Sequence, residues 1–138
     1  MTNTDLAAQR AIDRLRSEGF DALTETERTL VSVWLFAAGV GNSGFARYFS
    51  SHRGDLAFHA PAALRAIGAA AFAGIAAEAN ALFEDGRPPV DRDHRRRLTE
   101  AMPASARATL AALDQRYADC EEDIDELLEG FLSRSAPQ

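Results

Sequence analysis

The 138-residue sequence contains no lysine, so all fifteen of its basic residues are arginines. It contains one cysteine, Cys120, which excludes an internal disulfide and a cluster of thiolate metal ligands. No apolar run approaches the roughly 20 residues that a membrane-spanning helix needs. Residues 1–5 lack the basic region and apolar stretch of a secretory signal peptide. From these absences we expect a cytoplasmic protein that does not bind a membrane.

The remaining composition predicts a single all-α domain that spans residues 1–138. Hydrophobic residues make up 46% and charged residues 26% of the chain, which is ordinary for a globular protein of this length. Apolar residues recur at spacings of three and four, and we find no convincing alternating strand pattern. The sequence therefore predicts a compact domain of about six to eight helices.

Capping residues and glycines mark the first helices. Asp5 is expected to cap a helix that Gly19 ends. Thr24 and Glu27 form a capping-box pattern that opens a second helix, and residues 30–36 are apolar on nearly every side. This second helix should therefore be the buried centre of the fold.

Three glycines follow in the second helix, at positions 39, 41 and 44, and they are expected to end it. Asn42 between them suits a left-handed turn. Short helices should then carry Phe45 to Phe49 and residues 62–67. Longer ones should follow over Phe72 to Phe83 and over 91–101.

The last part of the chain keeps one apolar stripe in step from Leu110 to Phe131. Either one continuous helix over about residues 104–132 or two nearly collinear helices would satisfy this periodicity. Cys120 falls on the stripe, which favours a buried small residue over a nucleophile.

The negative charge is concentrated in this last part. Residues 114–129 include eight acids and one base, Arg116, so they carry −7 while the whole chain carries −6. A protein that binds nucleic acid directly shows the opposite asymmetry. The acids are Asp114, Asp119, Glu121, Glu122, Asp123, Asp125, Glu126 and Glu129.

A helical conformation would give these acids a charge density close to that of DNA. The seven acids of residues 119–129 would lie along about 16 Å of helix, which amounts to one charge per roughly 2.4 Å. Duplex DNA carries one charge per about 1.7 Å of its axis. We therefore predict a surface that binds a basic protein. An alternative is that Asp119 and Glu122 form a capping box for a separate last helix and the other acids serve solubility. The predicted partner-binding residues are Asp119, Glu122, Asp123, Asp125, Glu126 and Glu129.

Several short motifs also follow one another in a specific order. Trp34 is followed by Asn42-Ser43-Gly44-Phe45, then by Tyr48-Phe49 and Gly54-Asp55, and the pattern continues to the acidic C-terminal region. Over about residues 25–133 the chain resembles a bacterial family with an Asn-Gly-Gly-Phe-x-x-Tyr-Phe signature, which is typified by a DNA-mimic protein.

The resemblance implies an all-α fold and a non-enzymatic homodimer without a cofactor. It also implies that surface carboxylates imitate phosphates and sequester a basic partner such as a transcription regulator. Ser43 replaces the second glycine of the signature, so this position should not need a positive φ. The signature stretch could also line a small groove formed by Asn42, Arg47 and Tyr48.

Other functions leave weaker signals. His52, Asp55 and His59 could converge as metal ligands of a small enzyme, but they lack the spacing of a helical zinc pair. A small acidic protein could also be a toxin-neutralising immunity protein. Arg95-Arg96-Arg97 is interpreted as a solvated helix face, and the alternative is a partner for the acidic helix within the chain or in another subunit. Catalytic residues and a metal site are therefore not predicted.

Overall fold

A computed structural model describes residues 2–135, and in this range the chain forms seven α-helices and no strand. The predicted all-α class is confirmed, and the C-terminal region forms a helix pair. The helices are α1 (Asn3–Glu18), α2 (Glu25–Ser50), α3 (Ala60–Ala66), α4 (Ala70–Asn80), α5 (Arg92–Glu100), α6 (Ala104–Asp119) and α7 (Ile124–Ser135).

Local signals place the ends of α1 and α2. Thr2, not Asp5, is the N-cap of α1, and Asp5 completes a capping box with it. Gly19 ends α1 at φ 90°, as predicted. The predicted box at α2 is confirmed, because the Glu27 N–H donates to Thr24 Oγ1 (3.1 Å) and the Thr24 N–H donates to Glu27 Oε1 (2.9 Å).

Helix α2 is the centre of the fold. Val31, Val33 and Phe36 on it are fully buried, and α1, α3, α5, α6 and α7 all pack against it. By length and composition alone, α2 could also cross a membrane. Its enclosure by five other helices is instead that of a core helix.

The prediction that the helix ends within residues 39–44 is confirmed, and the break lies at Gly44. The backbone stays helical through Gly39 and Gly41, and only Gly44 departs, with φ 82° and ψ 170°. Gly44 therefore divides α2 into two helical parts, and the short second part carries Phe45 to Phe49, as predicted. Asn42 does not adopt the predicted left-handed conformation, and Ser43 needs no positive φ, as expected.

Close packing explains the other two glycines. A Cβ at position 39 would lie 2.5 Å from Cδ1 of Tyr48, and one at position 41 would lie 3.2 Å from the Tyr117 hydroxyl. These glycines give the aromatic rings room against the helix backbone. Tyr48 and Phe49 are buried, whereas Trp34 is only half-buried.

Arg95 is fully buried, which corrects the interpretation of residues 95–97 as a solvated face. Arg97 is exposed, and the exposed Arg96 pairs with Asp93 at 3.2 Å. The periodicity did not identify Arg95 because its acceptors are carbonyl groups and one carboxylate from distant parts of the chain. Its guanidinium donates to the carbonyl oxygens of Phe49 (2.6 Å), Ser51 (2.6 Å), Pro89 (2.8 Å) and Val90 (3.2 Å), and to Asp55 Oδ1 (2.8 Å).

Gly54 makes room for this arginine. A Cβ at Gly54 would collide with the carbonyl oxygen of Tyr48 and lie 3.1 Å from Arg95 Nε. Asp55, the next residue, also accepts a hydrogen bond from Arg92 at 3.0 Å. The Gly54-Asp55 motif therefore ties α5 to the end of α2.

Replacing Arg95 with methionine should destabilise the fold by about 3 kcal/mol or more, because several buried carbonyl oxygens lose their donor. Urea unfolding followed by circular dichroism measures this loss. The matched control, R97M on the exposed face of α5, should change the free energy of unfolding by less than about 0.5 kcal/mol. Equal stability of R95M and R97M would contradict the role assigned to Arg95.

Candidate functional site

The acid-rich stretch is not one helix. Helix α6 ends at Asp119 and α7 begins at Ile124, with Cys120 in an extended conformation (φ −70°, ψ 129°) between them. The charge density calculated for a continuous helix over residues 119–129 therefore does not apply. The exposed acids come from three places: the end of α6, the link between the helices, and the first half of α7.

Glu122 in this link caps a helix that is distant in sequence. Helix α4 has no side-chain cap at its own N-cap residue, Ala69. The Glu122 carboxylate instead accepts hydrogen bonds from the N–H groups of Ala71 (3.1 Å) and Phe72 (2.9 Å). A carboxylate is favourable here because the N-terminus of a helix carries partial positive charge. Glu122, predicted to bind a partner, thus has a structural role.

Asp114 likewise caps a helical segment that is distant in sequence, the part of α2 that follows the kink at Gly44. Its Oδ1 accepts a hydrogen bond from the N–H of Phe45 at 2.8 Å, immediately after Gly44. A Cβ at position 44 would lie 3.0 Å from Asp114 Oδ2, so the absence of a side chain there lets the carboxylate approach. Asp114 therefore stabilises the second half of α2 from α6.

Asp123 caps α7, so the predicted capping box of Asp119 and Glu122 is wrong. The Asp123 carboxylate accepts a hydrogen bond from the N–H of Glu126 at 3.1 Å. The break in the chain places Asp123, not Asp119, immediately before the first helical residue, where a side-chain cap must lie. Asp119 ends α6 and accepts a hydrogen bond from Gln115 at 3.0 Å.

Six acids of this stretch are exposed, and we call them the acidic surface. None of them takes part in an ion pair found within residues 2–135. Arg116, the base in the stretch, pairs with Glu78 at 2.6 Å. Five of the six belong to the predicted partner-binding set, and Glu121 was missed. The acidic surface consists of Asp119, Glu121, Asp123, Asp125, Glu126 and Glu129.

An apolar groove of about 520 Å³ lies beside the acidic surface, between α2, α4, α6 and α7. Trp34, the single tryptophan of the chain, lies in it, and three carboxylates border it. The apolar lining residues are Val33, Trp34, Ala37, Ala38, Phe72, Tyr117, Ile124 and Leu128, and the acids are Glu122, Asp123 and Asp125.

Trp34 also lines a second depression, of about 190 Å³, together with Asp5, Asp125 and Glu129. Carboxylates from α1 and α7 therefore reach this tryptophan as well. The sequence did not predict the groove because Trp34 and Phe72 follow core periodicity. Whether a core-like stripe is completely covered depends on the helices that pack against it.

The groove predicted at the signature stretch can be compared with a depression at the second half of α2. Arg47 and Tyr48 line a depression of about 410 Å³, but Asn42 is exposed and does not line it. Tyr48 is buried, which raises the pKa of its hydroxyl. Among residues 2–135 this hydroxyl has no hydrogen-bond partner.

Asp55 and His59, two of the three residues considered as possible metal ligands, make other contacts. Asp55 accepts hydrogen bonds from Arg92 and Arg95, and the ring of His59 stacks on Phe20 with centroids 4.5 Å apart. Burial lowers the pKa of His59. In the described part of the chain, no group of three or more His, Cys, Asp or Glu side chains is placed to hold a metal ion.

Cys120, expected to be buried, is half-buried against the core at the C-terminus of α6. Its Sγ lies 4.0 Å from Glu122 Oε1. The link between α6 and α7 interrupts the apolar stripe at this residue, which is why the burial is incomplete.

Residues 21–135 match the family model of the DMP19-like protein. The chain belongs to the DMP19-like protein family. This confirms the resemblance predicted over about residues 25–133. A comparison with curated proteins and another with solved structures each find no match. In this DMP19-like protein the signature residues Gly44 and Phe45 form the kink and its Asp114 cap, and Gly54 makes room for Arg95. The ring of Tyr48 packs against Gly39.

Replacing Glu122 with alanine should lower the free energy of unfolding by about 1–2 kcal/mol, because α4 loses its cap. The matched control is E121A, which removes the neighbouring exposed acid and should change stability by less than about 0.5 kcal/mol. Urea unfolding of both variants tests this. A loss that is the same in E121A and E122A would show that the cap contributes nothing specific.

Proposed function

We propose that this protein is a non-enzymatic, cytoplasmic DNA-mimic-like protein whose acidic surface binds a basic, DNA-binding protein such as a transcription regulator. Membership of the DMP19-like family suggests a DNA-mimic-like protein. The observation that carries the proposal is the exposure of six carboxylates within residues 119–129, without an ion pair to a cation among the described residues.

The electrostatics of these carboxylates support binding of a cationic surface. Like charges held close together repel one another, and a basic partner would relieve this repulsion. Arginine and lysine side chains that bind phosphate oxygens also bind carboxylates, and arginine binds both in a bidentate manner. Because the carboxylates are exposed, salt should screen the attraction over about 8–10 Å.

The break between α6 and α7 changes the form that the mimicry takes. The carboxylates lie at separate points on two helices and a link, not in one row along a helix. A partner would therefore meet them as discrete sites, as it meets the phosphates on different parts of a DNA backbone.

Capture experiments test the acidic surface with variants that keep Glu122 intact. The variant E121Q/E126Q/E129Q removes three exposed charges, and none of these side chains forms an ion pair within residues 2–135. It should bind a basic protein captured from host extract about tenfold more weakly than the wild type, at 0.2–1 kcal/mol per exposed charge. Calorimetric titration at 50 mM NaCl measures the difference.

The matched control is D13N/E84Q/E100Q, which changes the net charge equally but removes exposed acids elsewhere on the molecule. This variant should bind like the wild type. Equal weakening by the two triple variants would mean that only net charge matters. An affinity that does not change between 50 and 500 mM NaCl would also contradict the proposal.

The proposal includes a homodimer, which the family resemblance implies. Sedimentation equilibrium at micromolar concentration should give twice the chain mass of 14.9 kDa. A single species of 14.9 kDa over the whole concentration range would contradict this part of the proposal and leave the acidic surface to be tested by the capture experiment.

A further inference from the structure

We propose that the apolar groove around Trp34 receives an arginine-bearing amphipathic helix of the partner. The apolar face of that helix would pack on the floor of the groove, and its arginines would pair with the bordering carboxylates. The proposal rests on the proposed function, since it takes the partner to be basic. DNA mimicry alone would bind the partner through charge only. The groove would add an apolar contact to that binding.

The shape and lining of the groove support an apolar anchor. Its volume of about 520 Å³ lies within the roughly 300–1,000 Å³ typical of ligand pockets, which is room for more than one side chain. Ala37 and Ala38 on α2 are short and half-buried, and they leave the depression open beside Trp34. A concave depression with a mainly apolar lining and a few polar groups is typical of a binding site.

The charges around the groove determine the kind of occupant. Asp123 and Asp125 border it, while Asp5 and Glu129 reach Trp34 from the smaller depression. No arginine lines either depression among residues 2–135. A neutral or anionic apolar ligand would desolvate these carboxylates without pairing them, which is costly.

A cationic amphipathic helix meets both requirements. Helices bind grooves through apolar side chains at i, i+3, i+4 and i+7, and the flanking positions can then carry arginine. An arginine can also pair with a carboxylate while its guanidinium stacks on the face of Trp34. A second copy of the chain that docked through this same face would instead bring carboxylates against carboxylates.

Fluorescence of Trp34 tests the groove directly, because it is the single tryptophan. The probes are three 16-residue helical peptides without tryptophan, each with one charged face and one uncharged face. The first has arginine on the charged face and leucine on the other, the second has arginine and alanine, and the third has glutamate and leucine. The arginine–leucine peptide should shift the emission to shorter wavelength. It should also bind at least tenfold more tightly than the arginine–alanine peptide, and should still bind at 500 mM NaCl.

Two matched variants localise the binding. A38F fills the groove and should weaken the arginine–leucine peptide at least tenfold, whereas A46F on an exposed part of α2 outside the groove should not. If A38F fails to fold by circular dichroism, A37L replaces it and the same loss is expected. Equal binding to A38F and A46F would overturn the proposal. Equally tight binding of the glutamate–leucine peptide would overturn it too.

The outcomes separate this inference from the proposed function. If both arginine peptides bind equally, A38F has no effect, and E121Q/E126Q/E129Q weakens both, then the groove proposal is wrong and the charge-based function stands. If neither arginine peptide binds and the triple variant still captures the same host proteins, both proposals fail. A change of oligomeric state in A38F would assign the groove to a second copy and overturn the proposal.

Discussion

Two carboxylates of the acid-rich stretch, Asp114 and Glu122, accept hydrogen bonds from the N–H groups of helix segments that lack a cap in their own sequence. Helix N-termini leave N–H groups without intrahelical partners, and burying them unpaired is costly. These long-range caps hold α6 and the following link against α2 and α4. They thereby fix where the remaining acids emerge. The acidic surface and the groove beside it both depend on this arrangement.

Local sequence signals predicted the fold well. The capping box at Thr24 and Glu27, the stop at Gly19 and the apolar stripes gave the all-α class and most helices, because they involve residues within one or two turns of each other. The capping of Phe45 by Asp114 and the burial of Arg95 were not predicted. Both depend on partners that are more than forty residues away in the chain, and no periodicity reports them.

The same distinction holds for the candidate site. The concentration of acids was visible in the sequence, and most of the predicted residues are exposed. The sequence could not separate Glu122, which caps α4, from Glu121, which faces solvent, because the two are neighbours of the same chemistry. Nor could it reveal that Trp34 stays half-buried. Carboxylates and apolar surface lie side by side here only because four helices pack together.

In the proposed function, the protein would occupy the surface with which its partner binds DNA. Fluorescence anisotropy of a labelled duplex bound to the captured partner tests this claim most directly. Added wild-type protein should release the duplex and return the anisotropy to the value of free DNA, while E121Q/E126Q/E129Q should need about tenfold more protein, as the loss of three exposed charges implies. An anisotropy that stays constant or rises, which indicates a ternary complex with the DNA still bound, would contradict the account.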